Sequence, residues 1–181
     1  YPFVYDKQRI IYFKPDTSQQ EIACLKRKYP FQEYLFKYLN RNVIGTTIEG
    51  SNSVSGIKQL LYRFTDTLFT NRKAISFSQP CQFRYLHLNS PIDHRVELAE
   101  FVVFRDTSET QAIPLQLYRN VEGLYPTDQY SAKCVLDGNP LTFFRSREDN
   151  ATLIFDMGNV TEFKKILVNP RNDDNFIEPG D

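Results

Sequence analysis

The chain has 181 residues with 22 basic and 22 acidic side chains, so its formal net charge at pH 7 is zero. It lacks the basic surface on which nucleic-acid binding depends, and we expect no nucleic-acid partner. Neutral partners, such as sugars or another protein, fit this charge better. The 15 Phe and 11 Tyr residues are typical of a folded, strand-rich protein.

Cysteine count and apolar runs exclude two further classes of protein. The three cysteines, Cys24, Cys81 and Cys134, are far apart, so they predict buried free thiols rather than a complete disulfide framework or a zinc site. No apolar run reaches the roughly 18 residues that a membrane-spanning helix needs, and we expect no membrane insertion. Because the chain starts at Tyr1 and stops at Asp181, after a turn sequence, we expect a piece of a longer protein.

Residues 1–43 are predicted to contain one strand followed by two short helices. The strand is the apolar run at residues 10–13. Ser18 and Glu21 have the spacing of a capping box, which favours a helix start at this point. The apolar residues that follow at helical spacing are Ile22, Leu25, Tyr29, Tyr34, Leu35, Tyr38 and Leu39, with an interruption at Pro30.

From residue 43 onward the helical period gives way to alternation, which predicts strands. Before residue 111 they are expected at residues 43–49, 74–77, 83–88 and 98–104. In the range 111–181 they are expected at residues 115–118, 152–155 and 163–168, with a turn at 137–140. Short strands separated by turns at this rhythm predict a mainly β protein, an antiparallel jelly roll or β-sandwich, behind the short N-terminal helical segment.

The two ranges contain an internal echo. Residues 83–91 and 163–170 both have an aromatic residue, a basic residue, an apolar strand, Asn and Pro. We take this as an indication of two related modules, a shortened one at 44–110 and a second at 111–181 that ends early. Chance similarity is the alternative, because strands with alternating polarity resemble each other.

The order of motifs in the second range resembles discoidin-type domains, which are also called coagulation-factor type C or galactose-binding-like domains. The motifs are the turn that starts at Asp137, the strand that ends at Gly158 and the strand that runs into Arg171. Residues 83–88 and 97–101 likewise resemble the last two strands of such a module. The whole is similar to discoidin-like regions of exported Bacteroidetes proteins, which implies an extracellular, periplasmic or cell-surface location.

In the resembling family a structural calcium ion often lies at the turn. The resemblance carries this site to the side chains of Asp137 and Thr142 and to the backbone carbonyls of Lys133 and Asn139, and such oxygens are the ligands that calcium prefers. In the family a glutamate near the module's end completes the set, and its equivalent is expected beyond Asp181. The alternative is that Asp137 caps its own turn through a side-chain hydrogen bond, with no metal.

The loop after the last predicted strand is the candidate ligand-binding site. Arg171 has a planar fork of donors suited to hydroxyls or carboxylates, while Asn172, Asp173 and Asn175 supply donors and acceptors for sugar hydroxyls. The alternative is an internal network in which Arg171 pairs with Asp173 or Asp174 and only braces the loop.

No residue combination predicts catalysis within the chain. His87 is expected to pack within its strand. Cys81 and Asp93-His94 supply the residue types of a thiol triad, but no activating turn surrounds the cysteine. Glu97 and Glu100 are three apart on a strand and therefore face opposite sides, which argues against an acid–base pair.

Together these features predict a non-catalytic discoidin-like binding module of a larger exported protein, with a glycan as its ligand. The alternative is a structural spacer, or a protein-interaction domain, that supports a catalytic domain elsewhere in the parent chain. Other domains of that chain are expected partners, and calcium is the one expected cofactor.

Overall fold

The structure is a computed structural model that describes residues 3–6, 9–13, 20–24, 40–66, 73–125, 130–139 and 142–171. The chain divides into two compact units. One combines Tyr1–Gln32 with Asp174–Asp181, and the other is Glu33–Asp173.

The smaller unit contains a three-stranded antiparallel sheet. Its strands are β1 (Phe3–Asp6), β2 (Arg9–Phe13) and β3 (Gln20–Cys24), in the order β1-β2-β3. Strand β2 confirms the strand predicted at residues 10–13. In contrast, the prediction of a helix start after Ser18 is wrong. Residues Gln20–Cys24 form strand β3, in which Ile22 pairs with Ile11 of β2.

The helix prediction failed because it depends on only a few residues. Ile22 and Leu25 alone satisfy a helical period, but Ile22 also has the β-branched shape that favours a strand, and pairing with β2 decides between the two. The positions of the second predicted helix, 34–39, lie outside the described residues.

The larger unit is built almost entirely from strands. They are β4 (Thr47–Ser51), β5 (Gln59–Arg63), β6 (Lys73–Asn89), β7 (Glu97–Phe104), β8 (Gln116–Leu117), β9 (Phe144–Arg145) and β10 (Thr152–Pro170). Two short 3-10 helices, Asn40–Val43 and Ala132–Leu136, complete the described elements of this unit.

All seven strands of this unit belong to one antiparallel sheet. The strand order is β5-β4-β6-β10-β7-β9, and β8 pairs with β10. The prediction of a mainly β, antiparallel protein is therefore confirmed. Strands from both predicted modules, 44–110 and 111–181, share this sheet, while the boundary between the modules stays a prediction.

Strands β6 and β10 are each longer than the sequence predicts. The runs at 74–77 and 83–88 belong to β6, and the runs at 152–155 and 163–168 belong to β10. Irregularities in their pairing separate the two halves, between Asp156 and Thr161 and again between Phe163 and Lys165. Gly158 lies in the first of them with a φ of 80°, a left-handed backbone conformation that glycine adopts without strain.

The core lies between two parts of this sheet. Phe155, in the first half of β10, stacks on Phe101 of β7 with ring centroids 4.2 Å apart and an interplanar angle of 2°. Within β10, only the second half, Lys165 to Pro170, pairs with β7. The sheet therefore folds over on itself and packs like a sandwich. Fully buried members of this core include Ile48, Phe64, Leu86, Leu98, Phe101, Phe144, Leu153, Phe155, Phe163 and Ile166.

The 3-10 helix Ala132–Leu136 leads the chain into the predicted turn. Its residues Ala132, Cys134 and Val135 are buried, and Asp137 is its C-cap residue. Cys134 is buried, as predicted, and Cys81 is partly buried, while the side chain of Cys24 lies outside the described part of the chain. The buried helix thus fixes the base of the turn while Asp137 itself stays exposed.

Candidate functional site

The turn after Leu136 is organised around the carboxylate of Asp137. One carboxylate oxygen accepts a hydrogen bond from the backbone N–H of Asn139 at 2.8 Å, and the other accepts one from the hydroxyl of Thr142 at 2.9 Å. The Thr142 hydroxyl also lies 2.9 Å from the carbonyl of Asn139. Gly138 has a φ of 75°, which closes the turn. Asp137 therefore caps its own turn, as one of the two predicted alternatives requires.

A second carboxyl group lies against this turn. Glu100 projects from β7, is 5% exposed, and lies near enough to Asp137 for the two carboxyl groups to influence each other. Burial and the neighbouring charge of Asp137 raise the pKa of Glu100 to about 8, although the backbone N–H groups of Asn139 and Gly138 oppose the shift. One oxygen of Glu100, Oε1, is buried without a hydrogen-bond partner among the described residues.

The pair explains how the turn could accommodate calcium. Two carboxyls, the Thr142 hydroxyl and the Asn139 carbonyl supply hard oxygen ligands, and the unpartnered oxygen of Glu100 is free to take part. Lys133, the other predicted carbonyl ligand, lies in the 3-10 helix that precedes the turn. No group of three or more His, Cys, Asp or Glu residues that could hold a metal is found in the described ranges, so hydroxyl and carbonyl oxygens would have to complete the set.

Glu100 approaches the turn from β7 and was not among the residues predicted for this site. The family glutamate expected beyond Asp181 stays a prediction. A signal for it was present, because residues 97–101 resemble the closing strand of such a module. The sequence does not indicate that this strand packs beside the turn of the following range.

Arg171, the first residue of the predicted ligand loop, is held at the end of β10. Its guanidinium carbon lies 4.1 Å from the centroid of the Phe143 ring, a cation–π distance. Its Nη1 atom lies 3.4 Å from Oε1 of Glu97, and only 14% of its side chain is exposed. This arginine therefore contributes a fixed and largely buried cation rather than an open fork.

The Glu97 carboxylate interacts with three side chains beside the end of β10. Besides Arg171, its Oε1 lies 2.6 Å from Nε of Arg145, and its Oε2 accepts a hydrogen bond from the amide of Asn42 at 3.0 Å. The Glu97 side chain is 5% exposed. Asp173 and Asp174, which the sequence suggests as braces for Arg171, lie outside the described residues, and Glu97 is in contact with it.

The other predicted loop residues, Asn172, Asp173 and Asn175, lie outside the described part of the chain. Their assignment as ligand-binding residues stays a prediction. Arg171 alone can be placed, and it lies between Phe143 and Glu97.

The residues considered for catalysis are placed as follows. His87 is fully buried, as predicted, and its Nε2 lies 2.8 Å from Oγ of Ser51. Cys81 lies in the middle of β6, opposite Phe163. Asp93-His94 follows the end of β6, which is about 26 Å farther along an extended strand. The residue types of the thiol triad are therefore not brought together.

An exposed aromatic and ionic surface was not anticipated from the sequence. Tyr118 follows β8 and is 50% exposed. Its ring meets the ring of Tyr85 edge to face, with centroids 5.7 Å apart. The guanidinium of Arg84 lies over the Tyr85 ring and forms two hydrogen bonds to the carboxylate of Asp156, at 2.9 and 3.0 Å. The sequence carries no signal for this group, because its members come from three separate strands or strand ends.

Comparisons with known proteins leave the family open. No protein-family model matches the chain, and neither the curated proteins nor the solved structures contain a significant match to it. Among the described residues, no helix is both long enough and apolar enough to span a bilayer.

Proposed function

We propose that residues 33–173 form a discoidin-like, non-catalytic binding module of a larger exported protein, and that its ligand is a glycan. The observation that carries this proposal is the contact between Glu100 and the Asp137 turn. A closing-strand glutamate beside an Asp-Gly turn is the arrangement that the resemblance leads us to expect for a jelly roll of this kind. The sandwich-like packing of the sheet supports the same assignment.

The proposed ligand follows from charge and from the predicted loop. The chain has no net charge, so a neutral, hydroxyl-rich ligand fits it better than an anionic one. Arg171 is anchored by Glu97 and Phe143 and gives the loop a fixed starting point. From there, Asn172 and Asp173 would supply the donors and acceptors for sugar hydroxyls.

A glycan array on the full-length parent protein tests the ligand. We expect binding to neutral glycans that is lost when Asn172→Ala and Asp173→Ala are combined. Arg171 is not a suitable probe, because its removal leaves the buried carboxylate of Glu97 with one partner fewer and affects folding. An exchange far from the loop, Asp106→Asn, serves as the matched control and should keep all binding.

We also propose that the turn holds a structural calcium ion, with Asp137, Thr142 and Glu100 as side-chain ligands and Asn139 and Lys133 as carbonyl ligands. Calcium at about 100 times its Kd is then expected to stabilise the protein by about 2.7 kcal/mol, because only the folded chain holds these oxygens together. Thermal unfolding with calcium and with a chelator measures this difference. Asp137→Asn and Glu100→Gln should remove it, and Asp106→Asn should not.

The second candidate function is a structural spacer, and the engaged state of Arg171 favours it. An arginine that is consumed by an internal carboxylate and ring offers little to a ligand. An array on which the wild-type parent protein binds no glycan would support the spacer and contradict the glycan proposal. A calcium-dependent melting temperature would still identify the discoidin-like turn in that case.

A further inference from the structure

One face of the sheet carries polar and aromatic side chains across four neighbouring strands. Tyr85 of β6 pairs with Ser51 of β4 on one side and with Asp156 of β10 on the other. Asp156 in turn pairs with Gln116 of β8. Residues that are paired across an antiparallel sheet place their side chains on the same face. Tyr118, two residues beyond Gln116, therefore belongs to this face as well.

The Tyr118 ring is both accessible and supported. Half of its surface is exposed, and its backbone N–H donates a 2.8 Å hydrogen bond to the carbonyl of Ile154, which fixes the main chain. The ring also rests against Tyr85, which is 7% exposed and so forms a rigid backing. A half-exposed ring in a fixed orientation offers a flat apolar surface at low cost in conformational entropy.

The ion pair beside the ring is prearranged and neutral as a whole. Arg84 and Asp156 form a two-point contact, and the backbone N–H of Gly158 donates a further 2.7 Å hydrogen bond to the same carboxylate. The side chain of Arg84 is 39% exposed and that of Asp156 is 19% exposed. Each carboxylate oxygen and the guanidinium retain hydrogen-bonding capacity toward solvent.

We propose that Tyr118, Arg84 and Asp156 form a saccharide-binding subsite on this face of the sheet. The C–H face of a neutral pyranose ring packs on Tyr118, and two adjacent hydroxyls bond to Arg84 and Asp156, one accepting from the guanidinium and one donating to the carboxylate. The subsite is separate from the loop that follows Arg171, and it rests on the proposed glycan-binding function only in the class of ligand.

Charge distinguishes a neutral saccharide from other ligands for this surface. A phosphate or an acidic peptide would need an uncompensated cation, but the positive charge of Arg84 is matched by Asp156 at 2.9 Å. A purely apolar partner would leave both members of this pair buried and without water, which is costly. A neutral ligand with an apolar face and hydroxyl groups satisfies the ring and the pair together.

The first test measures binding by the full-length protein to the neutral oligosaccharides of a glycan array. The best ligand is then titrated by calorimetry into variants. Tyr118→Ala is expected to weaken binding at least tenfold, and Tyr118→Phe, which keeps the ring, should stay within threefold of the wild type. Ile92→Ala removes an exposed apolar side chain from the loop after β6 and is the matched control.

The second test uses the absence of tryptophan from the chain. The variant Tyr118→Trp places a single fluorophore on the subsite, and the same oligosaccharide is expected to shift its emission to shorter wavelength. Ile92→Trp is the corresponding control, in which emission should not change. Melting temperatures of all variants show that the fold is retained.

The outcomes separate this inference from the proposed loop site. If binding falls with Tyr118→Ala and persists in the combined Asn172→Ala and Asp173→Ala variant, the subsite stands and the loop assignment is wrong. If the loop variant loses binding and Tyr118→Ala does not, the subsite is overturned and glycan binding stands. An array without any bound glycan overturns both.

Discussion

At the scale of single residues, the buried carboxylate of Glu97 is the strongest electrostatic anchor near the predicted loop. It is in contact with Arg145 and Arg171 and accepts a hydrogen bond from Asn42. Removing the partners would leave the carboxylate as an uncompensated buried charge. Removing the carboxylate would do the same to the two arginines. Removing the charge of Glu97 should therefore cost far more than removing a surface carboxylate.

We expect Glu97→Gln to lower the free energy of unfolding by about 3 kcal/mol, because it leaves two partly buried guanidinium groups without their counter-charge. Urea unfolding followed by circular dichroism measures the change. Glu122→Gln is the control, since Glu122 is 70% exposed in its ion pair with Arg147 and should change stability by less than about 0.5 kcal/mol. Equal effects of the two substitutions would contradict this account.

His87 makes stability depend on pH. Burial lowers its pKa, the positive charge of Lys58 lowers it further, and the carboxylate of Glu49 acts in the opposite direction. The Ser51 hydroxyl donates to the carbonyl of Ser53 at 2.8 Å, so it accepts from Nε2–H of His87. Nδ1 is buried with no hydrogen-bond partner among the described residues, and a proton added there would be unpaired.

The sign of this effect follows from proton uptake. As the pH falls through about 6.5, the unfolded chain protonates this histidine while the folded chain does not, so the free energy of unfolding decreases by at most about 1.4 kcal/mol per pH unit. We expect His87→Gln, which keeps an N–H for Ser51, to lose this contribution, so that its free energy of unfolding minus that of the wild type increases as the pH falls from 7.5 to 5.5. Urea unfolding at several pH values tests this, and identical slopes would speak against it.

The separation of two interacting residues along the sequence decides whether the sequence could predict their contact. Asp137 bonds to Asn139 and Thr142, which are two and five positions away, and the sequence predicts that turn. Glu97 bonds to residues that are 55 and 74 positions away. No local pattern encodes such a pairing, because it depends on which strands become neighbours in the sheet.

At the scale of elements, the sequence marks the irregularity in β10 by Gly158, but it does not show that the strand continues beyond this glycine. The sequence predicts a strand end at Gly158, and the pairing of β10 with β6 is interrupted around this glycine. The same strand then continues to Pro170 and gains β7 as a second neighbour. A glycine marks a change of direction here, and only the strands on either side decide whether the chain turns away or continues.

We expect Gly158→Ala to destabilise the protein by about 1 kcal/mol, because alanine is strained at a φ of 80°. No neighbouring atom lies within 4 Å of the added Cβ, so steric contact contributes nothing. Gly158→Asn should cost less, since asparagine tolerates left-handed backbone. Thermal and urea unfolding of both variants test this order, and an alanine variant as stable as the wild type would exclude backbone strain as the reason for the glycine.

At the scale of the whole molecule, β10 connects the two ranges that the sequence suggests are modules. It pairs with β6 and β7 from the first range and with β8 from the second. The sequence predicted strands in both ranges, although it missed β5 and β9 and began the strand at 43–49 before β4, which starts at Thr47. It could not predict that they share one sheet, because their alternation is equally compatible with two small sandwiches.

A fragment of residues 33–110 is therefore expected to be unfolded, because β6 and β7 lose the strand between them. Residues 33–173 should fold and unfold in one cooperative transition. Circular dichroism and the dispersion of amide proton signals distinguish the two fragments. A folded 33–110 fragment would instead support two independent modules.

Glu97 also has a mechanical consequence. Through Asn42 at 3.0 Å and Arg171 at 3.4 Å, a single carboxylate joins the beginning and the end of the described part of this unit. Tension applied between Asn42 and Arg171 would load these short links first and would spare the strand ladders until the links break. The two ends of the described unit are thereby held together against stretching.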